Sequence, residues 1–192
     1  MPHPVLLIGG GARSGKSDLA LRLADTYGTS PVFVATGQAW DDEMRRRIKR
    51  HREDRPPRFR TIEAPLRVPE TVAAPGTGDV LVVDCLTLWL TNELLSQGED
   101  VAAGEAHAES RVDALVDALD HAPMPTILVS NEVGLGIVPM GALSRAFRDV
   151  AGRCHRKLAA RADRVYLGAM GMLLRLKPGP VEPVSSALDS LP

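Results

Sequence analysis

A chain of 192 residues, 44% of them hydrophobic, can bury a full core without disulfide staples. Its formal net charge of −1 supplies no global attraction to nucleic acid or to an anionic membrane. Cys85 and Cys154 are too few for a disulfide framework and fit a reducing compartment. No apolar run approaches the ~20 residues of a membrane span. The N-terminus lacks a signal peptide's charged region and cleavage site, so the sequence predicts a cytoplasmic protein.

The first apolar run, Val5–Ile8, reads as a buried strand. It opens directly into "GGGARSGKSD" (9–18), and a helical pattern with Leu19, Leu23 and Ala24 on one face follows. Further strands are predicted at Val32–Ala35, Val80–Val83, Thr126–Val129 and Val165–Leu167. Helical faces fall at Val112, Leu115, Val116 and Leu119, and again at Leu143, Phe147, Val150 and Ala151. Strand and helix alternating in this way predict an α/β fold with a mostly parallel central sheet flanked by helices and right-handed crossovers. Pro56-Pro57 and "APGTGD" (74–79) mark loops within one catalytic domain, 1–177, and the Pro- and Ser-rich stretch 178–192 reads as a loose tail.

The spacing Gly10-x-x-x-x-Gly15-Lys16-Ser17 fits a phosphate-binding loop. Glycines let successive backbone N–H groups converge on an anion, and the helix that follows adds the positive end of its dipole. Lys16 can reach the β- and γ-phosphates, and the Ser17 hydroxyl can hold Mg²⁺. A preceding strand and a following helix supply the context this motif needs. Asp84, at the end of "VLVVD", is placed to be the second acid for the metal or to cap the helix-like run from Thr87. In "VSNEVG" (129–134), Asn131 or Glu132 either touches substrate or caps a loop.

The segment "DDEMRRRIKRHREDRP" (41–56) puts acids first and bases last, as a helix dipole favours. It reads as a solvated charged helix over about 40–55, or as an anion-facing arm whose His51 is a nucleophile flanked by Arg52 and Arg55. The other histidines carry no partner motif; His155, among Arg153, Arg156 and Lys157, either touches an anion or lies at the surface. There is no zinc spacing and no Ser-His-Asp signature.

Five stretches, "GGARSGKS" (10–17), "VATGQAWDDEMRRRIKRHREDRP" (34–56), "FRTIEAP" (59–65), "NEVGLGIVP" (131–139) and "FRDVAGRCHRKLAARADRVYL" (147–167), together resemble one family. It is the bifunctional adenosylcobinamide kinase / adenosylcobinamide-phosphate guanylyltransferase family of cobalamin biosynthesis, and the resemblance runs from about Leu6 to Lys177. It implies a RecA-like P-loop fold, a homotrimer, and two reactions. A nucleoside triphosphate, ATP or GTP, phosphorylates the aminopropanol hydroxyl of adenosylcobinamide; GMP from GTP then joins that phosphate through a histidine–GMP intermediate. The matching histidine is His51. The resemblance further implies triphosphate binding by Gly10, Gly11, Ala12, Arg13, Ser14, Gly15, Lys16 and Ser17, with Mg²⁺ between Ser17 and Asp84. Thr36, Gly37, Gln38, the run Arg52, Glu53, Asp54 and Arg55, Glu63 and Asp84 are implied nucleotide contacts, and an acid such as Glu63 can accept from the guanine N–H groups. Two departures are visible. Arg50 stands where members often carry a first of two adjacent histidines, and Asp84 stands where some carry Glu. The competing expectations are another small-molecule P-loop kinase with a merely solvated 41–56 helix, and a nucleotide-dependent switch that docks a protein.

Overall fold

The computed structural model describes residues 3–170 and 172–183. The five expected strands form as β1 (Val5–Gly10), β2 (Pro31–Ala35), β4 (Val80–Asp84), β5 (Thr126–Val129) and β6 (Arg164–Ala169). Their near-continuous apolar runs are those of strands covered on both faces. Between and beyond them lie β3 (Arg60–Glu63), β7 (Met172–Lys177) and the short β8 (Glu182–Pro183). The eight strands make one sheet in the order β3-β2-β4-β5-β1-β6-β7-β8. β3 through β6 in that order pair in parallel, while β7 and β8 pair antiparallel. β8 gives the start of the expected loose tail a pairing partner; 184–192 lie outside the described residues.

Side-chain alternation along the strands divides the core into two layers. One face carries Val5, Leu7, Val34, Leu81, Val83 and Leu128 against α3 (Val68–Ala73), α4 (Leu86–Leu95), α5 (Val101–Asp120) and α6 (Ala142–Arg161). The other carries Leu6, Ile8, Phe33, Val82 and Ile127 against α1 (Lys16–Ala24). α5 buries Ala108, Val112, Leu115 and Leu119, the helical spacing that the sequence shows, and Asp100 caps it by accepting from the Ala103 N–H at 3.0 Å. The remaining helix, α2 (Asp42–Glu53), buries none of its residues. It is the expected charged helix, capped by the Asp41 carboxylate on the Met44 N–H at 2.7 Å.

Parallel pairing puts the C-terminal ends of β1, β2, β4, β5 and β6 on one edge, where open α/β sheets hold their ligands. The phosphate loop leaves β1 there, with the ends of β5 and β6 on either side. On the helical face the packing is close. A Cβ at Gly104 of α5 would lie 2.3 Å from the Leu94 carbonyl oxygen at the end of α4. Gly104→Ala is therefore expected to lose about 1–3 kcal/mol despite alanine's better helix propensity, measured as a lower midpoint in chemical unfolding.

Candidate functional site

The phosphate loop is held by backbone geometry that only small residues allow. Gly10 has φ +146°, and a Cβ there would sit 2.4 Å from the Gly168 carbonyl oxygen. Gly15, with φ +85°, turns the chain into α1 as its N-cap. The Lys16 side chain is buried, and its Nζ donates to the Gly11 carbonyl at 2.6 Å and to Ser14 Oγ at 3.3 Å. Burial lowers the Lys16 pKa, and the Asp84 charge opposes that shift. The Ser17 hydroxyl hydrogen-bonds the Asp84 carboxylate at the end of β4. Burial raises the Asp84 pKa, against the opposing pull of that hydrogen bond and of His51, Lys16 and Arg55. A hydroxyl, a carboxylate and an ammonium thus meet at the base of the loop.

A cavity of about 1010 Å³ opens above this base. Its floor is Arg13, Ser14, Gly15, Lys16, Ser17 and Asp84. Gly37 and Gln38 after β2, and Glu63 at the end of β3, form another wall. α2 roofs it with Met44, Ile48, His51 and Arg52, which recur at helical spacing on the side facing the phosphate loop. Arg55 follows the helix; its guanidinium carbon stands 3.4 Å from the centroid of the Phe33 ring, and Nη1 donates to Thr61 Oγ1 at 2.7 Å. Burial lowers the Arg55 pKa, with Asp84 pulling the other way. Arg52 is ion-paired with Glu63. His51 therefore shares one cavity with Lys16, Ser17 and Asp84 although the two segments are over thirty residues apart in sequence.

Not every expected contact reaches the cavity. Gly10, Gly11 and Ala12 lie behind its floor, where their part is the shape of the loop and, for Gly11, a carbonyl for Lys16. Thr36 is wholly buried; its Oγ1 donates to the Cys85 carbonyl at 2.7 Å and accepts from the Cys85 N–H at 2.9 Å. With its hydroxyl used in both directions, Thr36 ties the ends of β2 and β4 together and does not face the cavity. Glu53 pairs with Lys49 at 3.8 Å and Asp54 ends the helix, and neither lines the cavity. Residues that the sequence reading passed over also line it, among them Phe33, Arg47 and Leu88. Phe33 is hidden inside an ordinary apolar strand, and only the fold brings Arg55 over its ring. Gly168 gave a weak signal, a glycine closing a strand; a Cβ there would lie 2.8 Å from Ser14 Oγ.

The strand-tip sequence Ser130-Asn131-Glu132 resolves into separate parts. Asn131 lines the cavity. Ser130 Oγ lies 2.7 Å from His155 Nε2, and His155 Nδ1 lies 3.4 Å from Glu132 Oε2. The order Ser–His–Glu has the form of a hydrolytic triad, but Ser130 is 0% exposed and no substrate can reach it. The trio is a brace between α6 and the exit of β5. His155 is thus neither an anion contact nor a surface residue. Burial lowers its pKa, against the raising effect of Glu132.

A parallel sheet, a glycine-turned loop with a buried lysine, and a Ser–Asp pair beneath a polar cavity define a P-loop nucleotide-binding protein. Comparison with known proteins takes the assignment further. Residues 6–176 match the family model described as cobinamide kinase / cobinamide phosphate guanyltransferase, and the chain belongs to that family. It is 47% identical over 176 residues to the bifunctional adenosylcobalamin biosynthesis protein CobP of Pseudomonas aeruginosa, covering 91% of this chain and 98% of that one. It is 38% identical over 183 residues to CobU of Salmonella typhimurium, covering 90% and 99% of the two chains. To CobU of Escherichia coli it is 38% identical over 181 residues, with the same coverage of 90% and 99%.

The brace predicts a pH effect. With a folded-state pKa below the ordinary 6.5, His155 binds a proton more readily in the unfolded chain. Its contribution to stability is full above the unfolded value and is lost as pH falls through the window beneath it. The stability advantage of wild type over His155→Gln is therefore expected to shrink between about pH 7 and pH 5, as measured by denaturant titration at each pH.

Proposed function

We propose that His51 carries GMP between two substrates within one triphosphate site. The chain is a bifunctional enzyme of cobalamin biosynthesis, a cobinamide kinase and cobinamide phosphate guanylyltransferase. In the first reaction the aminopropanol hydroxyl of adenosylcobinamide attacks the γ-phosphorus of ATP or GTP, and the nucleoside diphosphate leaves. In the second, GMP from GTP is joined to the new phosphate, giving adenosyl-GDP-cobinamide and pyrophosphate.

The observation that supports the histidine route is the shared cavity of His51, Lys16, Ser17 and Asp84. A neutral imidazole nitrogen attacks the α-phosphorus of GTP, an N–P bond forms, the bond to the bridging oxygen breaks, and pyrophosphate leaves toward the N–H groups of the phosphate loop. An oxygen of adenosylcobinamide phosphate then attacks the same phosphorus, and the N–P bond breaks as free His51 returns. One difficult displacement is thereby split in two. Lys16 balances charge on the β- and γ-phosphates, and the Arg13 and Arg52 side chains lie on the same walls. Gly37, Gln38 and Glu63 border the space for the base. Glu63 has a carboxylate oxygen besides the one held by Arg52, and it can accept from guanine N1–H or N2–H.

The residues present fit Mg²⁺ as the cofactor. A magnesium ion bound with substrate phosphates needs only one or two protein oxygens, its other ligands being phosphate and water. Ser17 and Asp84, already hydrogen-bonded to each other at the cavity floor, are that pair. Among the described residues no group of three or more His, Cys, Asp or Glu offers a protein cage instead. Bound there, the ion would screen the phosphate charge during transfer. Ser17 and Asp84 would hold it, and the rest of the loop would supply N–H donors.

The protein is further inferred to work in the cytoplasm as a homotrimer. No helix among the described residues is long and apolar enough to cross a membrane, and Cys85 and Cys154 are free and buried. Leu135, Ile137, Val138 and Met140 stand exposed on one loop, Ile137 at 97%. A run of this kind suits a surface that another copy covers. α2, with no buried residue, suits a helix that leans on a neighbour. Sedimentation equilibrium should give three times the 20.6 kDa chain mass; a monomer at working concentration would overturn the trimer.

The test of His51 is direct. Incubation with α-labelled GTP and Mg²⁺ should leave acid-labile, base-stable label on wild type and none on His51→Ala, read after denaturing separation. Equal label on both proteins, or none on wild type during active guanylyl transfer, would remove His51 from the route.

A further inference from the structure

Asn131 is the polar side chain of the β5 exit that borders the nucleotide cavity, and its surroundings fix it unusually well. On one side the Ser130 N–H donates to the Ile8 carbonyl at 3.0 Å; on the other the Glu132 N–H donates to the Gly10 carbonyl at 2.9 Å. The backbone is thus pinned to β1 immediately before the phosphate loop. His155 holds the Ser130 and Glu132 side chains behind it. The Asn131 Nδ2 donates to Thr87 Oγ1 at 3.0 Å, and Thr87 Oγ1 is itself 3.0 Å from Cys85 Sγ, next to Asp84. In this arrangement the amide nitrogen meets Thr87 and the carbonyl end is turned away from it. The carbonyl end, Oδ1, has no partner among the described residues.

An oriented carbonyl oxygen at a reaction cavity calls for a hydrogen-bond donor. The triphosphate offers only acceptors there, and so does an ionised alkyl phosphate. The acceptor of the first reaction, a primary or secondary alcohol, carries a hydrogen. We propose that Asn131 Oδ1 accepts a hydrogen bond from the substrate hydroxyl and turns its lone pair toward the γ-phosphorus. Asn131 takes up no proton. The oxygen–phosphorus bond forms, the bond to the β-bridging oxygen breaks, and the hydroxyl proton passes to water. Once the alcohol has become a phosphate the bond no longer exists. Asn131 therefore favours the kinase step over the guanylyl step, an assignment that rests on the bifunctional reading above.

The test compares wild type and Asn131→Ala in two separate assays, phosphorylation of adenosylcobinamide and guanylyl transfer to adenosylcobinamide phosphate. Loss of one oriented hydrogen bond should lower the ratio of kinase to guanylyl kcat/KM by about tenfold. Asn131→Ser, which returns a short acceptor, should recover part of that ratio. A ratio within twofold of wild type for both variants, or a larger loss in the guanylyl reaction, would overturn the assignment. If wild type itself lacked one of the reactions, the bifunctional reading would fail instead.

Discussion

A lysine ammonium deprived of much of its water, facing a carboxylate deprived of its own, sets the terms for the rest of the molecule. Lys16 and Asp84 are each pushed toward neutrality by burial and pulled back by the other's charge. The Lys16 Nζ donates to the Gly11 carbonyl and to Ser14 Oγ. Those contacts keep the ammonium satisfied, yet they are neutral acceptors and yield readily to a phosphate oxygen. Such a pair is tolerable only if the strands that carry it hold still. Thr36 therefore clasps Cys85, Asn92 Nδ2 reaches the Thr36 and Pro65 carbonyls at 2.9 Å each, and the β5 exit is bonded to β1.

Further from the cavity, the same logic produces a second buried polar centre. Glu93 of α4 is almost fully enclosed, and Trp89 Nε1 at 2.8 Å, His107 Nε2 at 2.9 Å and Arg111 Nε at 3.1 Å surround its carboxylate. Arg111 continues to Glu70, locking α3, α4 and α5 together. A buried carboxylate with this many partners fixes helix register, and removing Arg111 would leave it without its permanently charged one.

Much of this was legible in the sequence, and the exceptions have physical causes. The five central strands and the phosphate loop could be read because burial on both faces writes continuous apolar runs, and because Gly15-Lys16-Ser17 follows one of them directly. β3, with the sequence RTIE, is mostly exposed and shows neither an apolar run nor a clean alternation, so nothing local betrays it. β7, paired antiparallel between β6 and β8, is only partly buried, and its apolar Met172–Leu174 is too short to stand out as a strand. Thr36 sits in a motif next to cavity residues, and only the register of β2 against β4 shows that its hydroxyl is consumed by Cys85. His155 looked like one member of a basic cluster because its partners, Ser130 and Glu132, are more than twenty residues away in the chain. Local pattern reports burial and propensity; it is silent about which distant groups meet.

α2 is joined to the body mainly through its C-terminal end. Arg52 grips Glu63, and Arg55 spans Phe33 and Thr61, so both anchors lie on β2 and the outermost strand β3. With no side chain to extract from a core, the helix can change its tilt by breaking a few polar contacts at the rim. The His51 imidazole lies within one turn of those anchors, like a tool head mounted close to its pivot. Substitutions at the sheet's border can thus shift that ring while leaving the glycine-turned loop beneath it untouched.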